Sequence, residues 1–291
     1  MIAVALALEF VVLAAGRDTV LLLRDCRGAQ CRPWETQFHV TTPKYIGDAA
    51  RLEKELTRRD VRYKEVWLDS GGGHLYEGIA VGRLFRRLGT TVRVPKGAFC
   101  ASSCTVAFLG GLFRFIEDSA SFVVHSASRV MGGIDDSTDA RIKDGRLRQH
   151  YRITQAAACE RSLELLQYFQ QSLLLLKGTK QTPPVIPVSR CAPANRYPEE
   201  AEAKDRQRLE VEGIAASQDI LMRLERETMM AALESWRAQL ASLGDRAGPA
   251  IRMVEAMYDT SILDGQDLSR EALLRLGYVT QLVDRPAAPP P

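Results

Sequence analysis

Between residues 35 and 126, short apolar runs bounded by turn residues alternate with stretches whose apolar positions recur at helical spacing. Gln37-Phe38-His39-Val40 reads as a short strand entering the Thr41-Thr42-Pro43 turn. Asp48 to Arg58 then carries Ala49, Leu52 and Leu56 on one helical face. Lys64 to Asp69 followed by Tyr76 to Leu88 makes a second strand-turn-helix unit, and Thr91 to Val94 with a helix opening near Ser102 makes a third. Ser121-Phe122-Val123-Val124 is a further strand, ending at His125. Repeated β-then-α units predict a mostly parallel sheet with helical crossovers.

Beyond His125 the period changes. Ser137 to Lys177 is charged and then amphipathic, with Leu163, Leu166, Phe169, Leu173 and Leu176 on one stripe. Gly178 to Pro198 holds five prolines and Cys191, which predicts an irregular loop. Glu199 to Leu243 resumes as helix, with Ile214, Ile220, Leu221, Leu224, Met229 and Leu233 as its apolar positions. The pattern predicts a core over residues 17–126 and 246–284, a helical arm over 127–245 inserted between them, and an unstructured Pro/Ala-rich tail over 285–291. Leucine stripes of this kind are core or helix seams rather than cofactor sites.

The N-terminal run Ile2 to Ala15, broken only by Glu9, admits two readings. Its length fits the hydrophobic part of a secretory signal within residues 1–16, with small residues at its end, although no Lys or Arg precedes it. It is shorter than the roughly 20 residues that span a bilayer. The same run could instead pair as a buried strand with Val20 to Leu23.

Composition narrows the classes. The chain has 291 residues, 46% hydrophobic content and a net charge of +3, enough for a core and too little charge to argue for a nucleic-acid partner. Six cysteines, at 26, 31, 100, 104, 159 and 191, leave about 15 pairings open. Proximity suggests Cys26–Cys31, Cys100–Cys104 and Cys159–Cys191, and the even count favours export to a periplasmic or secreted location, with membrane association through the N-terminus as a variant. If Cys100 and Cys104 stood one turn apart on a helix, their Cα atoms would lie near the ~6–7 Å limit for a bridge. No Cys-x-x-Cys or His-x-x-x-His completes a zinc set, so no metal and no cofactor is expected.

Candidate chemistry sits in three places. Lys96 to Gly111 leads from a glycine-containing turn into small residues headed by Ser102 and Ser103, a way to present a nucleophile where backbone N–H groups are unpaired. Ser70-Gly71-Gly72-Gly73 follows a strand, and consecutive glycines let the backbone turn its N–H groups toward a ligand. His125 supplies a base at a strand end. His74 adjoins the glycine turn, while His39 and His150 show no partner pattern.

In this order, the segments resemble the Clp-protease/crotonase superfamily, and within it bacterial exported Clp-like proteins whose serine turn reads Cys-Ala-Ser-x-Cys, here Cys100-Ala101-Ser102-Ser103-Cys104. The resemblance covers roughly residues 35–126 and 250–284, including Leu268-Ser269-Arg270-Glu271-Ala272 and Leu276-Gly277-Tyr278-Val279 as a closing helix and strand. It departs from the family's Ser-Pro-Gly-Gly turn by a glycine, Gly71, in place of proline. What it implies is an α/β spiral of β-β-α units with a long helical insertion. It also implies Ser102 as nucleophile, His125 as base, and oxyanion donors at Gly73 and Ser103. The acid falls near Asp264 or Asp267, Asp264 fitting slightly better. The implied activity is that of a serine hydrolase, a peptidase acting on a peptide or protein substrate, with self-association left open. Two alternatives stand beside it: a non-catalytic envelope scaffold or interaction protein, and a crotonase-type acyl-thioester enzyme. The latter chemistry typically needs a carboxylate rather than a serine and histidine.

Overall fold

The apolar N-terminal run is built into a sheet. β1 (Leu8–Ala15) pairs antiparallel with β2 (Asp18–Asp25), Leu8 opposite Asp25 and Ala15 opposite Asp18, across a turn at Gly16. Val20, Leu21 and Leu23 of β2 are buried, so the strand pair foreseen as one reading of this stretch is present. The computed structural model describes residues 8–25, 48–126, 159–161, 163–169, 171–172, 199–240, 248–259 and 265–280. It forms two compact units, one of residues 1–125, 171–181 and 263–291, the other of 126–170 and 182–262. The strand expected at 37–40 lies outside the described residues.

In the first unit α1 (Asp48–Leu56) precedes β3 (Glu65–Asp69), and the chain then becomes repetitive. β3 lies parallel to β2, β4 (Thr91–Val94) parallel to β3, and β6 (Phe113–Ile116) parallel to β4, giving a five-stranded order β1-β2-β3-β4-β6. After each of the last three strands the chain also enters a second, smaller sheet. Ser70 follows β3, β5 (Phe99–Ala101) follows β4, and β7 (Ser121–Val124) follows β6; Ser70 bridges Cys100, and Cys100 lies opposite Phe122. Helices close the first two turns: α2 (Leu75–Leu88) after Ser70 and α3 (Ser103–Phe108) after β5. Each turn thus lays one strand or bridge residue in each sheet and stacks on the turn before it, which is a spiral of β-β-α units. The fold is α/β as the sequence implies.

The strands β5 and β6 have no counterpart in the sequence reading. Each is three or four residues long, too short to show a period, and β6 carries a buried arginine. Arg114 is fully buried and donates to four carbonyls, those of Leu109 and Gly111 after α3, and of Gly277 and Tyr278 after α7 (Arg270–Leu276). It thereby satisfies the open carbonyls at two helix ends and ties the closing segment to the core. This corrects the expected closing strand. Leu276 to Val279 is not a strand, because the Gly277 and Tyr278 carbonyls serve Arg114, and the Tyr278 ring packs 5.2 Å from Phe122. The short strand β8 (Gln266–Asp267) pairs antiparallel with β7 ahead of the helix instead. Ser269 caps α7 by accepting from the Ala272 N–H at 3.2 Å.

The second unit is helical where described. α4 (Glu199–Glu212) and α5 (Ile214–Leu240) meet at Gly213, and α6 (Gly248–Tyr258) packs on α5. Ile220, Leu224, Met229 and Leu233 are buried, as are Ile251, Val254 and Met257. This apolar match carries the unit's end to residue 262 rather than 245. Leu163, Leu166 and Phe169 are buried as the stripe requires. Among the described residues no helix is long and apolar enough to cross a membrane.

Candidate active site

The serine turn is where the small sheet meets α3. Ser102 stands between β5 and α3 with φ 56 and ψ −129, one of two described non-glycine residues with positive φ. For an L-residue this backbone region costs on the order of 1–3 kcal/mol and persists only where the surroundings fix it. They do so here. The Ser102 N–H donates to the Val123 carbonyl at 3.1 Å, extending the β5–β7 pairing. Its carbonyl accepts from the Thr105 N–H at 3.0 Å and the Thr105 hydroxyl at 2.6 Å, and Thr105 is wholly buried.

Cys100 and Cys104 are disulfide-bonded across this turn with Cα atoms 5.4 Å apart. The concern about helical spacing does not arise, because Cys100 lies on a strand and the chain reverses at Ser102 before Cys104 enters the helix. Cys159 is also disulfide-bonded, while Cys26, Cys31 and Cys191 lie outside the described residues.

Close backbone packing sets what faces each serine. A Cβ on Gly72 would sit 2.6 Å from Ser102 Cβ and 2.8 Å from the Ser103 nitrogen, so the glycine turn lies directly against the serine turn. Gly72 itself has φ 92, which a side chain would oppose in any case. A Cβ on Gly78 would sit 2.5 Å from the Ser103 carbonyl oxygen and 2.9 Å from its Cβ. One turn further along α2, Gly82 meets Gly110 with no room for a methyl group. The spacing Gly78-x-x-x-Gly82 was a readable signal of close helix approach that the sequence analysis missed. As a result Ser103 is buried under α2, whereas Ser102 keeps intermediate exposure.

Two amides are expected as oxyanion donors. Neither the Gly73 N–H nor the Ser103 N–H has an acceptor among the described residues. The preceding amides are occupied: Gly71 donates to Asp25 Oδ2 at 2.8 Å and Gly72 to Ser70 Oγ at 3.1 Å. Asp25 also accepts from Ser70 Oγ at 2.5 Å, a contact that sequence reasoning did not anticipate across 45 residues.

His125 follows β7 two residues after Val123, the residue whose carbonyl takes the Ser102 N–H. Ser102 and His125 thus each stand just past the end of one of two neighbouring strands of the small sheet, and His125 has intermediate exposure. Asp264 lies outside the described residues. Asp267 is exposed and accepts the Phe122 N–H at 2.8 Å, a sheet-edge role. His74 precedes α2 with its ring 5.7 Å from Tyr76, and crowding by its surroundings lowers its pKa against the opposing pull of Glu77. Among the described residues no group of three or more His, Cys, Asp or Glu side chains is placed to hold a metal.

Together these features define an α/β protein in which stacked β-β-α turns bring a strained serine, a glycine turn and a histidine to the small sheet. The sequence matches no family profile and no curated protein. Among solved structures it is similar to a Streptomyces coelicolor A3(2) protein named as an enoyl-CoA hydratase, at 18% identity and a TM-score of 0.25, over 41% of this chain and 47% of that one. It is also similar to a carnitinyl-CoA dehydratase from Mycobacterium thermoresistibile, at 14% identity and a TM-score of 0.27, over 93% and 90% of the two chains. The chain thus spans about half the length of the first of these. Scores of this size carry no functional argument.

Proposed function

We propose that this chain is a Clp-like serine hydrolase acting on peptide bonds. The observation that carries the reading is the backbone of Ser102, held at φ 56 and ψ −129 at the junction of a strand and a helix. That conformation separates the strand from the helix at this one residue, and the chain maintains it against its cost. In the reaction His125 accepts the Ser102 proton as the hydroxyl oxygen attacks the scissile carbonyl. The Gly73 and Ser103 N–H groups donate to the resulting oxyanion, each donor worth about 3–4 kcal/mol in known hydrolases. The proton on His125 then passes to the leaving amine, and water releases the acyl group by the same route. Asp264 orients the imidazole in this scheme. Export to an oxidising compartment belongs to the same reading, supported by the buried Cys100–Cys104 bridge.

A fluorophosphonate probe tests this directly on the purified full chain. The expected result is a single covalent adduct on Ser102, retained in Ser103→Ala and lost in Ser102→Ala. Absence of any labelled serine in folded protein removes the hydrolase and leaves the scaffold and acyl-thioester alternatives. Labelling retained in Ser102→Ala and lost in Ser103→Ala would move the nucleophile by one residue.

A further inference from the structure

The glycine turn cannot hold itself. Three consecutive residues without side chains have the widest backbone freedom of any tripeptide, yet the turn must present one amide at a fixed place beside Ser102. The restraint comes from Asp25, the last residue of β2. Its Oδ1 accepts the Ser70 hydroxyl at 2.5 Å and its Oδ2 accepts the Gly71 N–H at 2.8 Å. With its proton directed to Asp25, the Ser70 oxygen is left to accept the Gly72 N–H at 3.1 Å. One carboxylate thereby fixes two successive amides and leaves that of Gly73 as the next donor along the chain. Ser70 is itself anchored, its N–H to Phe99 and its carbonyl to the Ala101 N–H, the residue before Ser102.

We infer that Asp25 is the positioning residue of the candidate oxyanion turn, acting on the reaction through Ser70 and Gly71 rather than by touching substrate. The inference rests on the hydrolase reading for its catalytic consequence, but the clamp itself can be tested without it. Gly71 has no positive φ, and Ser70 before it lies in an extended bridge, two conditions that a proline at 71 requires. Proline stiffens the turn by its ring and removes the N–H that Asp25 now satisfies. Among the described residues the only crowding of a Cβ at 71 comes from Asp25 Oδ2, 3.3 Å away, which an alanine at 25 removes.

The test uses the full chain as wild type, Asp25→Ala and Asp25→Ala/Gly71→Pro, with Asp25→Asn replacing the alanine variant should that not fold. Fluorophosphonate labelling is resolved into reversible affinity and the rate of covalent reaction. Asp25→Ala is expected to lower the covalent rate by about tenfold to a hundredfold at nearly unchanged affinity, the usual effect of a misplaced donor. Gly71→Pro is expected to restore most of it. A wild-type rate in Asp25→Ala overturns the inference, and so does a slow rate that proline does not rescue. If the wild-type protein takes up no probe, the hydrolase reading fails by itself, and amide exchange at Gly72, whose N–H donates to Ser70 Oγ, decides on Asp25. Exchange at least tenfold faster in Asp25→Ala and restored by proline supports the clamp; unchanged exchange overturns it.

Discussion

Replacing Gly78 by alanine sets two effects of opposite sign against each other. Alanine is favoured over glycine inside a helix by about 1 kcal/mol, so on propensity alone Gly78→Ala should stabilise α2. The added methyl group, however, would lie 2.5 Å from the Ser103 carbonyl oxygen, 2.9 Å from its Cβ and 3.2 Å from its carbonyl carbon. Ordinary contact begins near ~3.5 Å, so the serine turn must retreat by roughly 0.5–1 Å. The atoms in the way are mainly backbone, tied to α3 and the small sheet, and cannot swing aside as a flexible side chain would. Overpacking of this kind costs about 1–3 kcal/mol, which exceeds or offsets the propensity gain and leaves the protein as stable as wild type or up to about 2 kcal/mol less so. A displacement approaching 1 Å should lower reactivity by up to ~10²-fold. Urea unfolding gives the first number and the fluorophosphonate labelling rate of native protein the second. A variant more stable by about 1 kcal/mol that labels at the wild-type rate would show that propensity wins and that Gly78 does not position the serine.

Four further outcomes follow from the site and its cysteines. His125→Gln keeps most of the volume and one donor but no base, so the fold should stand while labelling falls by on the order of 10²-fold or more; unchanged labelling in folded protein takes His125 out of the mechanism. Cys100→Ala/Cys104→Ala opens a loop of sequence separation 4, for which loop entropy gives about 2 kcal/mol of lost stability, and slower labelling should accompany it as Ser102 relaxes; equal stability and rate would make the bridge incidental. Thiol counting on denatured, non-reduced protein from its own compartment should correspondingly find fewer than six free thiols, and six would retire the export reading. Ser102→Gly should exceed Ser102→Ala in stability by about 1–2 kcal/mol, since only the alanine retains a Cβ at positive φ; an alanine variant as stable as the glycine one would mean that the turn has relaxed.

The helices and longer parallel strands were legible because their signals are local. Val81, Leu84 and Phe85 in α2 recur at i, i+3 and i+4 and are buried as that spacing demands, as is Leu52 in α1. Val66 and Leu68 of β3 alternate, and both are buried. What escaped depends on partners distant in sequence. β6 reads as Phe113-Arg114-Phe115-Ile116, and a fully buried arginine argues against a core strand until its acceptors at 277 and 278 are known. Asp25 drew no assignment from the sequence because its partner Ser70 lies 45 residues away. The Cys100–Cys104 bridge looked awkward only because the segment reads as one helix, whereas a single residue at φ 56 divides it into strand and helix.

That residue also bears on whether the site is chemistry or packing. A serine at positive φ is a standing cost of about 1–3 kcal/mol, and glycine would meet the same backbone need with no Cβ penalty. Four separate restraints nevertheless converge on Ser102: pairing of its N–H with Val123, the doubled contact of its carbonyl with Thr105, the disulfide that brackets it, and the glycine at 72 that packs directly against it. A packing role requires the turn but not the hydroxyl. The adjacent Ser103 supplies the contrast within the same helix start, since it is buried, keeps helical backbone and costs nothing of this kind. Strain maintained at the more exposed serine of this pair, next to two amides without acceptors among the described residues, supports the proposed role of Ser102 as nucleophile.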